Sequence, residues 1–196
     1  MKKRAFDLVL ALAGLVVLAP LLLVIAVWIR WDSRGPALYR QQRVGRGGRP
    51  FSIYKFRTMH QRLEDGPQLT VGADPRVTRA GAMLRRYKLD ELPQLFNVVA
   101  GDMSLVGPRP EVPRYVACYP EPQRSVVLSV APGITDWASI LYMDENAVLA
   151  RAGDPERAYI ETVLPAKLEL YVRYVRERSF RTDLHIIMRT LAAIVR

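Results

Sequence analysis

The sequence predicts a mostly helical α/β domain that follows an N-terminal apolar helix. Every residue from Leu8 to Ile29 is apolar, glycine or proline, whereas the alternating segments that could form strands are short, as in Phe51 to Phe56. Fourteen prolines are spread along the 196 residues, so irregular connections between elements should be frequent. We therefore divide the chain into an apolar helix, residues 1–31, and a domain of residues 32–196 that is long enough to bury a core.

The apolar run of 22 residues from Leu8 to Ile29 is long enough to cross a bilayer, because as a helix it would extend about 33 Å. Basic residues flank it on both sides, at residues 2–4 and at Arg30 and Arg34. A straight span would place one basic flank on the unfavoured side of the membrane. Pro20 lies near the middle, where it removes a helical hydrogen bond and bends the axis. We therefore favour a re-entrant helix that enters one leaflet and returns, with a simple membrane-spanning anchor as the alternative.

The formal net charge of +10, from 29 Lys and Arg against 19 Asp and Glu, predicts an anionic partner. A phospholipid surface, a phosphate ester and a nucleic acid all fit that charge. Aromatic residues do not alternate with the basic runs as single-stranded nucleic-acid platforms require, so we expect no nucleic-acid partner. The single cysteine, Cys118, cannot form an intramolecular disulfide, and together with two histidines it is too little for a zinc site.

After the apolar helix, alternation and helical periodicity predict two strands and then several helices. The predicted strands are Ala37–Arg43 and Phe51–Phe56, and the predicted helices are Gly81–Tyr87, Leu92–Val99, Asp154–Arg178 and Phe180–Arg196. Pro165 should interrupt or offset the helix of residues 154–178. The last helix carries an apolar face and several arginines, which suits either a membrane surface or packing against the core.

Asp90 and Glu91 form an acidic pair among cations at the predicted start of a helix, since Pro93 is tolerated in a first turn. A carboxylate held there near Arg85 and Lys88 should stay ionised, as a nucleophile or a metal ligand must be. Adjacent helical residues point about 100° apart, so the two carboxylates should have different roles, one as nucleophile and one as ligand of a divalent cation. The alternative is that Asp90 caps the helix and Glu91 complements its dipole.

Two further segments offer cations to a phosphorylated ligand. Lys55 and Arg57 lie on the same face of an extended segment and could clamp a diphosphate, although a solvated edge strand has the same pattern. Arg109 stands between Pro108 and Pro110, which order its backbone before a ligand arrives and suit phosphate or nucleotide recognition. A plain turn with an exposed arginine is the alternative.

Together these motifs resemble the bacterial sugar transferases known as monotopic phosphoglycosyl transferases, over nearly the whole chain. The matching segments are residues 2–7, 42–45, 55–59, 74–78, 84–85, 89–95, 101–110 and 132–135. The resemblance implies a compact, irregular, membrane-associated α/β domain with a small sheet, amphipathic helices at the interface and an N-terminal re-entrant helix broken at Pro20. It also places the protein at the cytoplasmic face of the bacterial inner membrane, in contact with the phospholipid bilayer, and it is compatible with a homo-oligomer.

The resemblance further implies an activity. Such enzymes transfer a sugar phosphate from a UDP-sugar to a polyprenyl phosphate, usually undecaprenyl phosphate, and release UMP at the start of surface glycan or exopolysaccharide synthesis. They form a covalent phosphosugar–aspartate intermediate and use magnesium. Carried over, Asp90 is the nucleophile, and Glu91 binds Mg²⁺ with Asp90 beside it. Arg109 and its flanking prolines, Pro108 and Pro110, contact the nucleotide. The residues expected to neutralise the diphosphate are Lys55, Arg57 and Arg85.

Four positions depart from the usual family pattern. Asp136 stands where glycine is usual, Ser139 where glutamine is common, and Tyr171 where an aspartate is often found. Lys88 replaces a small hydroxyl residue next to the nucleophile. We expect the first three departures to affect donor recognition rather than the type of reaction, with donor specificity residing between residues 132 and 177, and Lys88 to alter the pKa of the nucleophile.

Three rival hypotheses remain at the level of sequence. The chain could be a catalytically weak membrane scaffold for a polysaccharide assembly complex, which would release no UMP from any UDP-sugar. It could be a membrane-anchored binder of anionic lipid or nucleic acid, whose binding would depend on salt and not on Asp90. It could also be a hydrolase that transfers the sugar phosphate to water and needs no polyprenyl phosphate.

Overall fold

The computed structural model describes residues 2–60, 72, 74–143, 145 and 149–194, and most of these residues are helical. The elements in chain order are α1 (Lys2–Asp32), β1 (Leu38–Val44), β2 (Pro50–Phe56), α2 (Arg79–Arg86), α3 (Gln94–Ala100), β3 (Ser104–Val106), α4 (Pro113–Val116), α5 (Glu121–Val127), β4 (Gly133–Thr135), α6 (Trp137–Leu141), α7 (Pro155–Ala158), α8 (Leu164–Glu177) and α9 (Phe180–Ile194). The strands of this described part form two sheets of two strands each. The predicted mostly helical domain with little sheet is confirmed, with two small sheets instead of one.

Helix α1 is 31 residues long and by length and composition could cross a membrane. The helix continues through Pro20 without interruption, so the break predicted there is not confirmed and the re-entrant path stays a prediction. One side of α1 packs on the domain at both ends, through Ala11 in the first half and Ile29 in the second. The opposite side is apolar and exposed, for example at Val16 (76%) and Val17 (75%).

Strands β1 and β2 form an antiparallel hairpin in which Leu38 lies opposite Phe56 and Val44 opposite Pro50. Their bounds agree with the predicted strands to within one residue. Gly47, in the connecting 3₁₀ turn Arg46–Gly48, has φ of 67°, a left-handed conformation that glycine adopts at little cost. The hairpin buries Ile53 against α1 and α3.

The second sheet brings two glycines into direct backbone contact. Strands β3 and β4 are parallel, with Ser104 opposite Gly133 and Val106 opposite Thr135. A Cβ atom on Gly133 would lie 2.1 Å from the backbone nitrogen of Gly107, so no larger residue fits there without a backbone shift. This crossing places the segment after β3, which contains Arg109, beside the segment after β4.

The predicted helix of residues 154–178 is present from Pro155 to Glu177, and its offset at Pro165 is confirmed. A π-helical segment, Tyr159–Val163, separates α7 from α8, and the N–H of Leu164 donates to the carbonyl of Tyr159. Pro165 has no N–H to donate, so a widened turn directly before it accommodates the lost hydrogen bond. The largest buried cluster of the described residues packs around this helix and includes Tyr115, Tyr159 and Tyr171.

Helix α9 packs against the core, which confirms one of its two predicted alternatives, while the membrane-surface alternative stays a prediction. Ile186 is fully buried and packs with Val106 and Tyr174. Large apolar side chains on another face remain exposed, at Phe180, Leu184, Met188 and Leu191. The helix ends at Ile194, and residues 195–196 of the predicted helix lie outside the described residues.

Candidate active site

Asp90 and Glu91 lie in a short 3₁₀ turn, Leu89–Glu91, that precedes α3. The helix therefore begins at Gln94, two residues later than the sequence predicted. Lys88, directly before the turn, has φ of 54° and is the one described residue other than glycine in the left-handed region. This backbone conformation is uncommon for lysine, and such outliers are enriched at functional sites.

Glu91 is the centre of a three-residue ion cluster. The Nζ atom of Lys55 lies 2.8 Å from Oε1 of Glu91, and Nη1 of Arg109 lies 3.0 Å from Oε2. The second guanidinium nitrogen of Arg109 also donates to Oε1, which makes the Arg109–Glu91 pair bidentate. Burial alone would raise the pKa of Glu91, but the charges and hydrogen bonds of Arg109 and Lys55 outweigh burial and hold that pKa well below its usual range. Glu91 is therefore firmly ionised.

The pKa of Asp90 shifts in the opposite direction. Its side chain is buried, with the residue only 8% exposed, and this burial raises its pKa above the usual value. The negative charge of Glu91 raises the pKa further, whereas Lys55 and Arg85 act in the other direction. The sequence predicted an ionised carboxylate among cations, and this stays a prediction, although burial and Glu91 outweigh the cations in the pKa of Asp90. A carboxylate with a raised pKa is more basic, which makes its ionised form a stronger nucleophile.

Two predicted diphosphate ligands have different surroundings. The Nε atom of Arg85 donates to Oγ1 of Thr58 at 2.9 Å. Burial lowers the pKa of Arg85 and the charge of Asp90 acts to raise it, while the charge of Arg85 acts to lower the pKa of Asp90. Arg57 is only 3% exposed, and its guanidinium donates to the backbone carbonyls of Arg34 and, at 2.8 Å, Ser33. These contacts favour a structural role for Arg57 at the end of α1 over the predicted contact with a diphosphate.

The Pro108–Pro110 segment is held through its carbonyl groups. Gly133 N–H donates to the carbonyl of Pro108 at 3.0 Å, and Nη1 of Arg43 donates to the carbonyl of Pro110 at 3.2 Å. Arg109 lies between these two anchored prolines and reaches Glu91 from there. The segment thus has the ordered backbone that the sequence predicted, while its contact with a nucleotide stays a prediction.

Sequence reasoning missed two buried amides on α3. Asn97 accepts a hydrogen bond from the N–H of Tyr54 at 3.0 Å and donates to the carbonyl of Ser52 at 2.8 Å, so it fastens α3 to β2. Gln94 is 1% exposed, and neither its amide oxygen nor its amide nitrogen has a hydrogen-bond partner within the described residues. The available signal was the i, i+3 spacing of two polar residues in an otherwise apolar helix.

Three of the residues that depart from the family pattern, Asp136, Ser139 and Tyr171, lie against other parts of the same domain in this structure. Asp136 is buried and caps α6, because its carboxylate accepts hydrogen bonds from the Ser139 N–H at 2.9 Å and the Ser139 hydroxyl at 2.7 Å. Burial raises the pKa of Asp136. Tyr171 is buried in the core, and its hydroxyl has no hydrogen-bond partner in the described part of the chain. Asp136 and Ser139 therefore stabilise the same loop that contains them.

The carboxylates present fit a magnesium ion better than a transition metal. No group of three or more His, Cys, Asp or Glu side chains occurs among the described residues, so the chain offers no full metal cage there. Mg²⁺ is commonly held by one or two carboxylates together with water and substrate phosphates. Glu91 offers an ionised carboxylate and Asp90 adjoins it, which fits that requirement.

Comparisons with known proteins identify a family and several relatives. The model of a family described as bacterial sugar transferase matches residues 1–196. A UDP-glucose:undecaprenyl-phosphate glucose-1-phosphate transferase of Caulobacter vibrioides is 39% identical over 201 residues, covering 100% of this chain and 70% of the relative. A UDP-N-acetylgalactosamine-undecaprenyl-phosphate N-acetylgalactosaminephosphotransferase of Aeromonas hydrophila is 38% identical, covering 98% of this chain and 43% of the relative.

An undecaprenyl-phosphate glucose phosphotransferase of Komagataeibacter xylinus is 40% identical over 198 residues, covering 97% of this chain. The chain spans 35% of that relative's length, so it corresponds to one part of this longer protein, as it does for the Aeromonas relative. The match to the family model over the full length of the chain, together with these identities, shows that the chain belongs to the bacterial sugar transferase family.

Proposed function

We propose that this chain transfers a sugar phosphate from a UDP-sugar to undecaprenyl phosphate and releases UMP, through a covalent phosphosugar intermediate on Asp90. The observation that carries the proposal is the pair of adjacent carboxylates with opposite pKa shifts. Burial raises the pKa of Asp90. Burial also acts to raise the pKa of Glu91, but Arg109 and Lys55 outweigh it and hold that pKa well below its usual range. Environments that separate two neighbouring pKa values in this way commonly mark a division of chemical roles. The names of the relatives supply the donor and acceptor classes.

The chemistry divides into two displacements at one phosphorus atom. First, a carboxylate oxygen of Asp90 attacks the phosphorus that carries the sugar, the bond to the bridging oxygen breaks, and UMP leaves with that oxygen. Second, an oxygen of undecaprenyl phosphate attacks the same phosphorus and the Asp90 carboxylate leaves unchanged. The product is undecaprenyl diphosphate sugar. The attack of one anion on another requires cations that offset the charge, and Lys55, Arg85 and Arg109 supply them.

Glu91, with Asp90 beside it, would hold Mg²⁺, which when bound supplies further neutralisation of the charge that develops on the diphosphate. Glu91 does not act as a second nucleophile in this scheme, because its lowered pKa makes it the weaker base of the pair. In the absence of donor, its ion pairs keep Lys55 and Arg109 beside the Asp90–Glu91 pair.

The packing of α1 supports a membrane helix that enters and leaves on the cytoplasmic side. At its start, Arg4 donates to the carbonyls of Val98 and Val99, and at its end Asp32 accepts from the N–H of Ala80. Both ends thus contact one domain, which a straight helix with ends on opposite sides of a bilayer could not do. The exposed apolar side of α1 and the exposed apolar side chains of α9 suit insertion into the inner membrane. The site would then lie within reach of a lipid acceptor.

The direct test is UMP release from a panel of UDP-sugars by the purified protein with Mg²⁺ and undecaprenyl phosphate. We expect release with at least one donor by the wild type and none by Asp90→Asn. The exposed variant Arg46→Met is the control and should behave as the wild type. Release without undecaprenyl phosphate at the full multiple-turnover rate would indicate a hydrolase. Absence of UMP release from every donor by folded wild-type protein would favour the scaffold hypothesis.

A further inference from the structure

We propose that the ion pairs of Glu91 make its divalent-cation site conditional on a bound diphosphate. In the absence of donor, Lys55 and Arg109 occupy the Glu91 carboxylate. When the diphosphate of a UDP-sugar binds, the two cations turn to its oxygens and leave Glu91 available to the metal. This inference rests on the proposed function. It adds that the metal and the nucleotide bind cooperatively, each favouring the other.

The geometry of the cluster carries the first step. Oε1 of Glu91 is contacted by Lys55 at 2.8 Å and by one arm of the Arg109 guanidinium, and Oε2 is 3.0 Å from the other arm. Both carboxylate oxygens are therefore engaged by cations. A divalent ion at either oxygen would lie close to a positive side chain, and like charges at such short range repel each other. Glu91 is thus a chemically suitable ligand whose ion pairs disfavour binding of the metal.

Charge arithmetic carries the second step. Lys55, Arg85 and Arg109 contribute three positive charges, while Asp90 and Glu91 contribute two negative charges, so the ionised site has a net charge of +1. A divalent cation alone would raise this sum to +3, and the doubly charged diphosphate of a UDP-sugar alone would lower it to −1. The two ligands together restore +1. Binding of each should therefore favour binding of the other.

The chemistry of the side chains carries the third step. The planar guanidinium of Arg109 pairs with a phosphate in the same bidentate manner as with a carboxylate, and the Lys55 ammonium rotates on a flexible stem. Arg109 keeps its position during such an exchange because the carbonyls of Pro108 and Pro110 are hydrogen-bonded on either side. Only side chains need to move.

The test measures Mn²⁺ binding by electron paramagnetic resonance to the full chain in detergent, with Mn²⁺ as the probe for Mg²⁺ and UDP as the unreactive diphosphate. We expect saturating UDP to tighten Mn²⁺ binding to the wild type at least about tenfold. Lys55→Met, which removes one competing cation, should bind Mn²⁺ more tightly than the wild type without UDP and should gain less from UDP. Glu91→Gln with UDP measures chelation by the nucleotide alone, and Arg46→Met is the matched control on an exposed arginine.

Equal Mn²⁺ affinity of the wild type with and without UDP would overturn the inference, and so would unchanged Mn²⁺ binding in Lys55→Met. The proposed function fails by a different result, namely absence of UDP binding in the presence of Mn²⁺ together with absence of UMP release from every donor. A protein that releases UMP but binds Mn²⁺ independently of UDP would therefore retain the proposed function and lose only the cooperative site.

Discussion

Asp7 of α1 accepts a buried hydrogen bond of 2.8 Å from the hydroxyl of Ser104, the first residue of β3. The N–H of Leu105 donates to the same carboxylate at 3.4 Å. Because β3 leads directly to the segment of Arg109, the apolar helix is joined to one half of the candidate site. Arg4, one turn earlier, is joined to the other half, since it donates to the carbonyls at the end of α3.

Replacement of Asp7 by alanine should destabilise the protein. Asp7 is 3% exposed, and its loss removes the buried acceptor of the Leu105 N–H and leaves the Ser104 hydroxyl only the carbonyl of Val106. Hydrogen bonds to charged groups contribute roughly 1.5–3 kcal/mol, so we expect Asp7→Ala to lower the free energy of unfolding by about 2 kcal/mol. Chemical unfolding in detergent measures the change, with the exposed Lys2→Ala as control. Equal stability of the two variants would contradict the role of this contact.

Gly133 should tolerate no side chain. A Cβ atom there meets the backbone of Gly107 at 2.1 Å from its nitrogen and 2.4 Å from its oxygen, and neither atom can move without displacing β3. Overpacking costs about 1–3 kcal/mol where side chains can adjust. We therefore expect Gly133→Ala to lower the free energy of unfolding by at least about 3 kcal/mol. Gly153→Ala is the matched control, because its Cβ would meet nothing within 4 Å. Similar thermal unfolding of both variants would show that the β3–β4 crossing is looser than the structure has it.

Gln94 should be replaceable by methionine with a gain in stability. Both of its amide atoms are buried, and neither has a hydrogen-bond partner among the described residues. An unsatisfied buried polar group costs roughly 1–3 kcal/mol, and methionine has a similar volume without that cost. We expect Gln94→Met to raise the free energy of unfolding by about 1 kcal/mol. Asn97→Met, which removes two formed hydrogen bonds, should do the opposite. A loss of stability in both variants would indicate that Gln94 has a partner in solution.

The rate of UMP release should depend on pH through Asp90. Since the ionised carboxylate is the nucleophile, the rate rises with pH and levels off above the pKa of Asp90, which burial raises above its usual value of 3.8. Lys55 acts to lower this pKa, so Lys55→Met should raise it further and move the midpoint of the profile to higher pH. The pH dependence of single-turnover UMP release measures the midpoint, and Arg46→Met should leave it in place. A midpoint that stays fixed or moves to lower pH in Lys55→Met would contradict this electrostatic account.

Local patterns predicted the parts of the structure that depend on neighbouring residues. The apolar run predicted α1, alternation predicted the two strands of the hairpin, and Pro165 predicted the offset in the long helix. The paired carboxylates were recognised because no local packing rule accounts for two acidic residues beside Pro93. Burial, in contrast, depends on the whole fold, so the sequence did not reveal that Asp90 would have a raised pKa.

Long-range contacts account for the other differences. Lys55 and Arg57 were predicted to act together because alternate residues of a strand share a face. Strand β2 ends at Phe56, however, and Arg57 turns to the carbonyls that follow α1 while Lys55 reaches Glu91. Asn97 was not singled out because its partners, Ser52 and Tyr54, are more than 40 residues away in the chain. Spacing along one segment cannot identify such partners.

The central claim is that Asp90 becomes covalently attached to the phosphosugar. The most direct measurement is mass spectrometry of the protein after mixing with a UDP-sugar that supports UMP release, in the absence of undecaprenyl phosphate. We predict one added phosphosugar per chain, located on the peptide that contains Asp90, lost when undecaprenyl phosphate is added and never formed by Asp90→Asn. UMP release by the wild type without any adduct under rapid quenching, or an adduct on a residue other than Asp90, would contradict the account.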